Sequence, residues 1–228
     1  MKLLVVSDVE HPYLCCASLK ERFPDIDLVI SCGDLSSEYL AYISDALNAP
    51  LYYVFGNHQG PLPFDDERVR KISQGINLDQ QCIVDETGLI LAGVQGSLQY
   101  NYGHYQYTQL QMWLKVLAFV PTLLHNKIKY GRYLDVLVSH APAWQLLDAK
   151  DWPHRGSKAF RWLIDTFKPM LHVFGHIHLL RQDAKFQMNI KHSLVMNTYG
   201  YREIEIIPPR RGYPYPRSGM FRLVRKGF

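Results

Sequence analysis

Five apolar runs of strand length, each followed at once by a polar cluster, constrain the fold of this chain more than any other feature. The runs are KLLVV, DLVI, LYYVF, LDVLV and LHVF, and the clusters that follow them are SDVEHP, SCGDLSSE, GNHQGP, SHAP and GHIH. The runs are apolar throughout rather than alternating, which suits strands that are covered on both faces. Helix-like segments separate them, so the sequence predicts an α/β protein.

Helix signals mark three of the separating segments, SSEYLAYISDALN, YTQLQMWLKVLAFVP and GSKAFRWLIDTFKP. In the second segment Thr108 opens the apolar pattern and Pro121 closes it, and in the third Ser157 is a candidate N-cap. Two other segments, QCIVDETGLILAGV and FQMNIKHSLVMNTYGYREIEII, indicate hairpins or meanders with turns near Gly88 and Asn189.

The composition is that of an ordinary globular protein, with 47% apolar and 20% charged residues. The 228 residues suffice for one hydrophobic core and are short for two. No apolar segment approaches the roughly 20 residues that span a bilayer, and the opening MKLLVVSDVE lacks the pattern of a secretory signal. The four cysteines form no CxxC pair. We therefore expect reduced thiols, a cytoplasmic location and no membrane partner.

The C-terminal segment PPRRGYPYPRSGMFRLVRKGF carries six Arg or Lys residues and no acid. We expect residues 1–207 to form the domain and residues 208–228 to be a basic, aromatic tail that packs on it or extends from it. An arm that binds anions or nucleic acid is the alternative. No recognised nucleic-acid-binding motif supports that second interpretation, and the sequence leaves the oligomeric state open.

The polar clusters after the five runs supply carboxylate, amide and imidazole groups and no thiolate. Such groups suit Zn, Fe, Mn or Ni, and a set this rich could hold two ions. Ligand sites of α/β sheets collect at the carboxyl ends of the strands, where these clusters lie. Glycine precedes the polar residue in three of the clusters and permits close approach of the backbone. The candidate residues are Asp8, Glu10, His11, Asp34, Asn57, His58, His140, His176 and His178.

The ordered series SDVEH, SCGDL, FGNHQ, VSHAP and FGHIH, which runs from Asp8 to His178, resembles the signature of the calcineurin-like metallophosphoesterases. Four of the five blocks fit closely. The resemblance implies a four-layer α/β/β/α sandwich of two mixed sheets flanked by helices. It also implies a hydrolase that cleaves a phosphomonoester or phosphodiester with a metal-activated water. Two divalent ions would be the cofactors, with Mn²⁺ expected and Fe or Zn as alternatives.

The same resemblance implies a role for each matching residue. Asp34 would bridge the two ions. The remaining ligands would divide into two sets: Asp8 and His178 with a group from the VEH turn, and Asn57, His140 and His176. His58 would contact the phosphate and protonate the leaving oxygen.

The first block departs from the family pattern, which is Asp-x-His, because this chain has Asp8-Val9-Glu10 with His11 one place late. Glu10 could replace the histidine as an oxygen ligand, which its two-residue spacing from Asp8 favours and which would favour Mn or Fe. Alternatively His11 could reach in, or the first metal position could be weakened. A second departure is Gln59, which stands where relatives carry an acid and puts the strength of the general acid in question.

Substrate features are fewer, and the implied partner is a small phosphoester or a nucleotide. The segment from Gly96 to Tyr107 is rich in Tyr, Asn and Gln, which could stack on a base or sugar or pack beneath a surface loop. His154 and Arg155 precede a predicted helix and could bind phosphate, and an exposed or capping arginine is an equal alternative. Trp113 and Trp162 are predicted to be core residues.

The alternative function is a catalytically weakened scaffold of the same fold that acts as a binding protein. The departures at Glu10 and Gln59 permit it. The retention of the other expected ligands and of His58 argues against it.

Overall fold

A computed structural model describes residues 1–58, 75–181, 183–207 and 221–227. Its helices are α1 Leu19–Arg22, α2 Ser37–Leu47, α3 Gln109–Leu117, α4 Val120–Tyr130 and α5 Lys158–Phe167. Its strands are β1 Lys2–Ser7, β2 Leu28–Ser31, β3 Leu51–Tyr53, β4 Gly75–Asn77, β5 Cys82–Val84, β6 Ile90–Val94, β7 Ser97–Leu98, β8 Gln106–Tyr107, β9 Val136–Ser139, β10 Leu171–Phe174, β11 Gln187–Ile190, β12 Ser193–Asn197, β13 Gly200–Ile206 and β14 Phe221–Gly227. All five apolar runs form strands, as predicted.

The strands form two mixed six-stranded sheets and a small parallel pair, β7–β8. The first sheet has the order β14-β13-β1-β2-β3-β4, and the second has the order β11-β12-β10-β9-β6-β5. In the first sheet β1, β2, β3 and β4 are parallel neighbours, and in the second β12, β10, β9 and β6 are. Parallel neighbours deliver their carboxyl ends to the same edge of a sheet, so the polar clusters after them converge.

The two sheets stack face to face because alternate residues of each apolar strand enter different cores. Leu3 and Val5 of β1 lie between the sheets, where they join a cluster that includes Val136 and Val138 of β9. Leu4 of β1 instead packs with α1 and α2 on the outer side of the first sheet. The outer side of the second sheet packs against α3, α4 and α5. The predicted four-layer α/β/β/α sandwich of two mixed sheets is confirmed.

The three predicted helices are confirmed, and each begins at a hydroxyl cap. Ser36, Thr108 and Ser157 accept hydrogen bonds from backbone N–H groups of α2, α3 and α5, which would otherwise lack partners. The prediction that Pro121 closes the second helix was wrong. That helix ends at Leu117, and Pro121 lies in the first turn of α4, where a residue without an N–H loses no hydrogen bond.

The hairpin near Gly88 is confirmed, since β5 and β6 pair antiparallel. In the second predicted meander, β11 and β12 also pair antiparallel, but Asn189 lies within β11 and the turn follows at Lys191, whose φ is 50°. The next strand leaves the meander: β12 belongs to the second sheet, whereas β13 pairs with β1 in the first. This crossing places residues 198–199 between the two sheets.

Most of the basic C-terminal segment lies outside the described residues, which include only its positions 221–227. These form β14, which pairs antiparallel with β13 at the edge of the first sheet. No helix in the described ranges combines the length and the apolar character that a bilayer crossing requires.

Candidate metal centre

Three strand ends meet at one edge of the stacked sheets. Asp8 follows β1, Asp34 follows β2 at a distance of three residues, and His140 follows β9 from the opposite sheet. One ligand atom from each of these side chains lies within 4.8 Å of the others. The side chains of Asp8 and His140 are fully buried, and that of Asp34 is 8% exposed. This buried group of two carboxylates and one imidazole could hold a divalent ion.

The hydrogen bonds of His140 define which ring nitrogen faces the group. Its Nδ1 lies 2.8 Å from the carbonyl oxygen of Cys32, which can only accept, so Nδ1 is the donor there. Its Nε2 then faces two oxygens, Asp34 Oδ2 at 3.2 Å and Asn57 Oδ1 at 3.0 Å. An unprotonated Nε2 would point its lone pair at both oxygens. With the Asn57 amide in this orientation, a cation suits this corner of the site, either a proton on Nε2 or a metal ion between the three atoms.

The pKa shifts of His140 and Asp34 agree with a positive charge at this corner. Burial alone would lower the pKa of His140, but the carboxylates of Asp34 and Asp8 raise it above its ordinary value. Burial would raise the pKa of Asp34, but His140 and the amide of His58 outweigh this and lower it to about 2. Each shift favours the charged form of its group, as expected for a histidine and a carboxylate that lie 3.2 Å apart in a buried place.

Asp8 lies on the other side of the same group. Both of its carboxylate oxygens accept the backbone N–H of His176, at 2.9 and 3.1 Å. Burial raises the pKa of Asp8 above its ordinary value, and the nearby His140 opposes that shift. A buried carboxylate without a paired cation is costly, so a divalent ion beside Asp8 would stabilise its ionised form.

The backbone around these side chains is strained in the way that functional sites often are. Asp8, Asp34 and His176 have φ values of 62°, 58° and 64°, in the left-handed region that side chains seldom adopt. The neighbouring glycines leave no room for a side chain: a Cβ on Gly56 would lie 2.0 Å from Asp34 Oδ1, and a Cβ on Gly175 would lie 2.5 Å from Asp8 Oδ2. The expectation that glycine permits a compact cluster is confirmed.

Both histidines of GHIH lie beside the group, in different surroundings. His176 is buried, and its Nε2 donates to the carbonyl oxygen of Pro153 at 2.9 Å. Its ring centroid lies 5.0 Å from that of His140, and burial lowers its pKa to about 3. The side chain of His178 is 51% exposed, with Nε2 at 3.8 Å from Asp8 Oδ1 and its ring against Tyr199.

Glu10 and His11 are turned to other partners. Glu10 Oε1 accepts the backbone N–H of Ser36, at the start of α2, at 3.1 Å. His11 Nδ1 accepts the backbone N–H of Tyr13 at 3.1 Å, and its ring packs edge-on against Tyr201. The structure brings neither residue into the group that contains Asp8. The choice among the three interpretations of this turn stays a prediction.

The GNH block contributes through both backbone and side chain. Asn57 is buried, and its Nδ2 donates to the hydroxyl of Tyr100 at 2.9 Å, which turns Oδ1 toward His140. The backbone N–H of His58 donates to Asp34 Oδ1 at 2.9 Å, and the side chain of His58 is exposed. Gln59 lies outside the described residues.

His154 lies at the margin of the centre, whereas Arg155 stacks on a tryptophan. The ring of His154 lies 5.2 Å from that of His176, and its Nδ1 contacts the carboxylate of Asp151. The guanidinium of Arg155 stacks 5.1 Å over the ring of Trp152. Trp113 and Trp162, which were predicted to be core residues, contact each other and pack against the outer core while only partly buried.

Sequence reasoning did not single out three groups that orient the site: the carbonyls of Cys32 and Pro153 and the hydroxyl of Tyr100. Tyr100 lies in the tyrosine-rich segment from Gly96 to Tyr107, although no pattern distinguishes it from its neighbours. A backbone carbonyl leaves no signal in residue type, so the other two were beyond sequence reasoning.

Comparison with known proteins agrees with this architecture. A family model described as calcineurin-like phosphoesterase matches residues 1–180. The structure of TT1561 of Thermus thermophilus aligns with a TM-score of 0.58 and 17% identity, covering 89% of this chain and 92% of that one. A second solved structure aligns with a TM-score of 0.62 and 14% identity, covering 89% and 93%. At such identities the structures support a shared fold alone. No curated protein matches this chain.

Proposed function

This chain belongs to the calcineurin-like phosphoesterase family, and we propose that it is a metal-dependent hydrolase of small phosphoesters. The observation that carries the proposal is the corner formed by His140 Nε2, Asp34 Oδ2 and Asn57 Oδ1, which suits a cation. The buried carboxylate of Asp8 completes a donor set of oxygens and imidazole nitrogen, which suits Mn²⁺, Fe or Zn.

We assign two ion positions to the residues around this edge, with Mn²⁺ as the expected metal. Asp34 would be shared, as the family resemblance implies, and its carboxylate lies in one group with both Asp8 and His140. One position would be held by Asn57, His140 and His176, and the other by Asp8, His178 and the turn that contains Glu10. Two bound cations would polarise the phosphoryl oxygens and make an activated water available near neutral pH.

The protein's own groups would orient the ligands and move one proton. The carbonyl of Cys32 keeps Nε2 of His140 directed at the centre, and the hydroxyl of Tyr100 does the same for Oδ1 of Asn57. The bond from the His58 amide to Asp34 holds that loop beside the shared carboxylate. From there the exposed imidazole of His58 would donate a proton to the leaving oxygen, a role that contributes about 10²- to 10⁴-fold to a rate.

The decisive experiment combines metal content with hydrolysis of bis-p-nitrophenyl phosphate and p-nitrophenyl phosphate in the presence of Mn²⁺. We expect two ions per chain and turnover of at least one ester, and the preferred ester would separate diester from monoester chemistry. His58→Ala should lower kcat by about 10²-fold or more and leave the metal content unchanged. His125→Ala, which removes an exposed histidine from α4, is the matched control and should leave kcat unchanged.

The second candidate is a scaffold of the same fold without catalysis. The positions of Glu10 and His11 favour it, because both are bound to groups outside the centre and the first ion position then has fewer ligands. Substoichiometric metal with no turnover under Mn²⁺, Fe²⁺ or Zn²⁺ would support the scaffold and contradict the hydrolase.

A further inference from the structure

A cleft of about 410 Å³ opens beside the candidate metal centre. It lies between the β7–β8 pair, the start of α3 and the segment that leads into α5. Cavities of about 300–1,000 Å³ are those in which proteins bind small organic ligands. The lining residues are Leu98, Gln99, Tyr107, Thr108, Gln109, Trp152, Arg155 and Lys158.

On each wall of the cleft, the residue that follows a lining residue in the sequence bonds to a side chain of the candidate centre. On one wall Gln99 is followed by Tyr100, whose hydroxyl accepts from Asn57 Nδ2. On the other wall Trp152 is followed by Pro153, whose carbonyl accepts from His176 Nε2. Two pairs of neighbouring residues therefore connect the lining of the cleft to side chains of the candidate centre.

The cleft presents a fixed aromatic ring. The indole N–H of Trp152 donates to the carbonyl of Gln99 at 3.0 Å, which joins the two walls and holds the ring in one orientation. Trp152 is nevertheless 59% exposed. A large aromatic side chain that is held in place and left accessible is a ready stacking surface.

The polar side chains of the cleft divide into occupied and available groups. The Gln109 amide bonds to the backbone of Gly156 and Lys158, and the Thr108 hydroxyl caps α3. Arg155 and Lys158 are exposed and stack over tryptophan rings, and within the described ranges neither forms an ion pair with a carboxylate. The cleft therefore offers an aromatic surface with two cations that are available to an anion.

We propose that this cleft binds a nucleoside-sized aromatic group of the substrate, and that Arg155 and Lys158 bind a further negative charge on the same molecule. The inference rests on the proposed function, because the scissile phosphate would occupy the centre. A fixed indole with two cations beside it matches a base and a second phosphate better than an acyl chain, which has no π-face and no charge along its length.

Isothermal titration tests the proposal with four probes: AMP, ribose 5-phosphate, α,β-methylene-ADP and octyl phosphate. We expect the wild-type protein to bind AMP about tenfold more tightly than ribose 5-phosphate, because base stacking on an aromatic side chain has that order of effect. It should bind α,β-methylene-ADP more tightly than AMP. Octyl phosphate should bind no better than ribose 5-phosphate.

Two variants should remove these preferences separately. Trp152→Ala should abolish the preference for AMP over ribose 5-phosphate and keep the preference for the second phosphate. The double variant Arg155→Gln/Lys158→Gln should do the reverse. Lys129→Gln is the matched control, because Lys129 is also exposed and stacked over an aromatic ring, that of Tyr130, but lies on α4. It should change neither preference.

The outcomes separate this inference from the proposed function. Equal binding of AMP and ribose 5-phosphate would overturn the inference even if p-nitrophenyl esters are hydrolysed. Octyl phosphate binding that matches AMP and is lost in Trp152→Ala would also overturn it, in favour of an acyl site. Retained base and second-phosphate preferences in a protein without turnover would uphold the cleft and count against the hydrolase alone.

Discussion

The two sides of the candidate centre differ in how firmly they are built. On one side Asn57 and His140 are buried, and each is held by a second hydrogen bond that orients its ligand atom. On the other side Asp8 is buried, but His178 is half exposed and Glu10 is bound to the start of α2. Protein hydrogen bonds alone orient Asn57 and His140, whereas the proposed site on the other side would have to gather Glu10 and His178 around its ion. We infer that the ion on the Asn57–His140 side binds more tightly.

The largest effect should come from Asp34, which we propose that both sides share. Asp34→Asn removes the negative charge beside His140. The amide oxygen of the new side chain can still accept the hydrogen bond from the backbone N–H of His58. We expect the variant to lose both ions and to hydrolyse esters no faster than the uncatalysed background. Metal analysis after dialysis measures the first and ester hydrolysis the second. Retention of one tightly bound ion would contradict the assignment of Asp34 as the shared ligand.

The comparison itself is tested by removing one imidazole from each side. His140→Ala should lower the affinity for the tighter ion by more than about 100-fold. Loss of a residue that only orients a ligand lowers metal affinity by about 10- to 100-fold. His178→Ala should weaken only the looser ion. Competition with a chelator of known affinity measures both constants. An equal effect of the two substitutions would show that the sides are alike.

Glu10→Gln and His11→Gln then decide how the looser side is completed. If Glu10 leaves Ser36 and becomes a ligand, its substitution should weaken the second ion and lower kcat, and His11→Gln should be silent for metal. If Glu10 only stabilises the start of α2, its loss should cost about 0.3–1 kcal/mol of stability with unchanged metal binding. Thermal unfolding with and without Mn²⁺ separates the two results.

The smallest effect concerns a second buried histidine, His172, which contrasts with His140. Its Nε2 lies 2.8 Å from Ser139 Oγ, whose hydroxyl donates to Ala141, and its ring packs against Phe160 and Phe174. Among the described residues the ring has no carboxylate partner. Burial lowers its pKa to about 3. In the unfolded chain this histidine has an ordinary pKa of about 6.5, so as the pH falls it is protonated before the folded protein's His172 is. The stability that neutral His172 contributes is therefore present above about pH 6.5 and is lost as the pH falls toward 3.

His172→Leu should accordingly flatten the fall in stability of the metal-free protein between pH 6.5 and 3. The slope should decrease by up to about 1.4 kcal/mol per pH unit, the value for one proton. Urea unfolding at several pH values measures it. The metal content should not change. A metal content that falls in His172→Leu would contradict the separation of this histidine from the centre.

The sequence predicted β1, β2, β3, β9 and β10 because each is a continuous apolar run, and a strand that is buried on both faces needs such a run. It predicted the starts of α2, α3 and α5 because a hydroxyl cap is a local signal. It also identified Asp8, Asp34 and His140 as candidates, since each follows a buried strand whose carboxyl end must lie at the sheet edge. The end of α3 was predicted wrongly because a proline can either follow the end of a helix or lie in its first turn, and Pro121 lies in the first turn of α4.

Only the tertiary structure decided how the candidates meet. The contact of His140 with Cys32 joins residues 108 positions apart, and its contact with Asn57 spans 83. Two other features depend on contacts between distant parts of the chain. They are the crossing from β12 to β13 and the hydrogen bond between Glu10 and Ser36. A local pattern records which groups a loop can offer. Which of them face one another depends on the packing of two sheets, and that is a property of the whole chain.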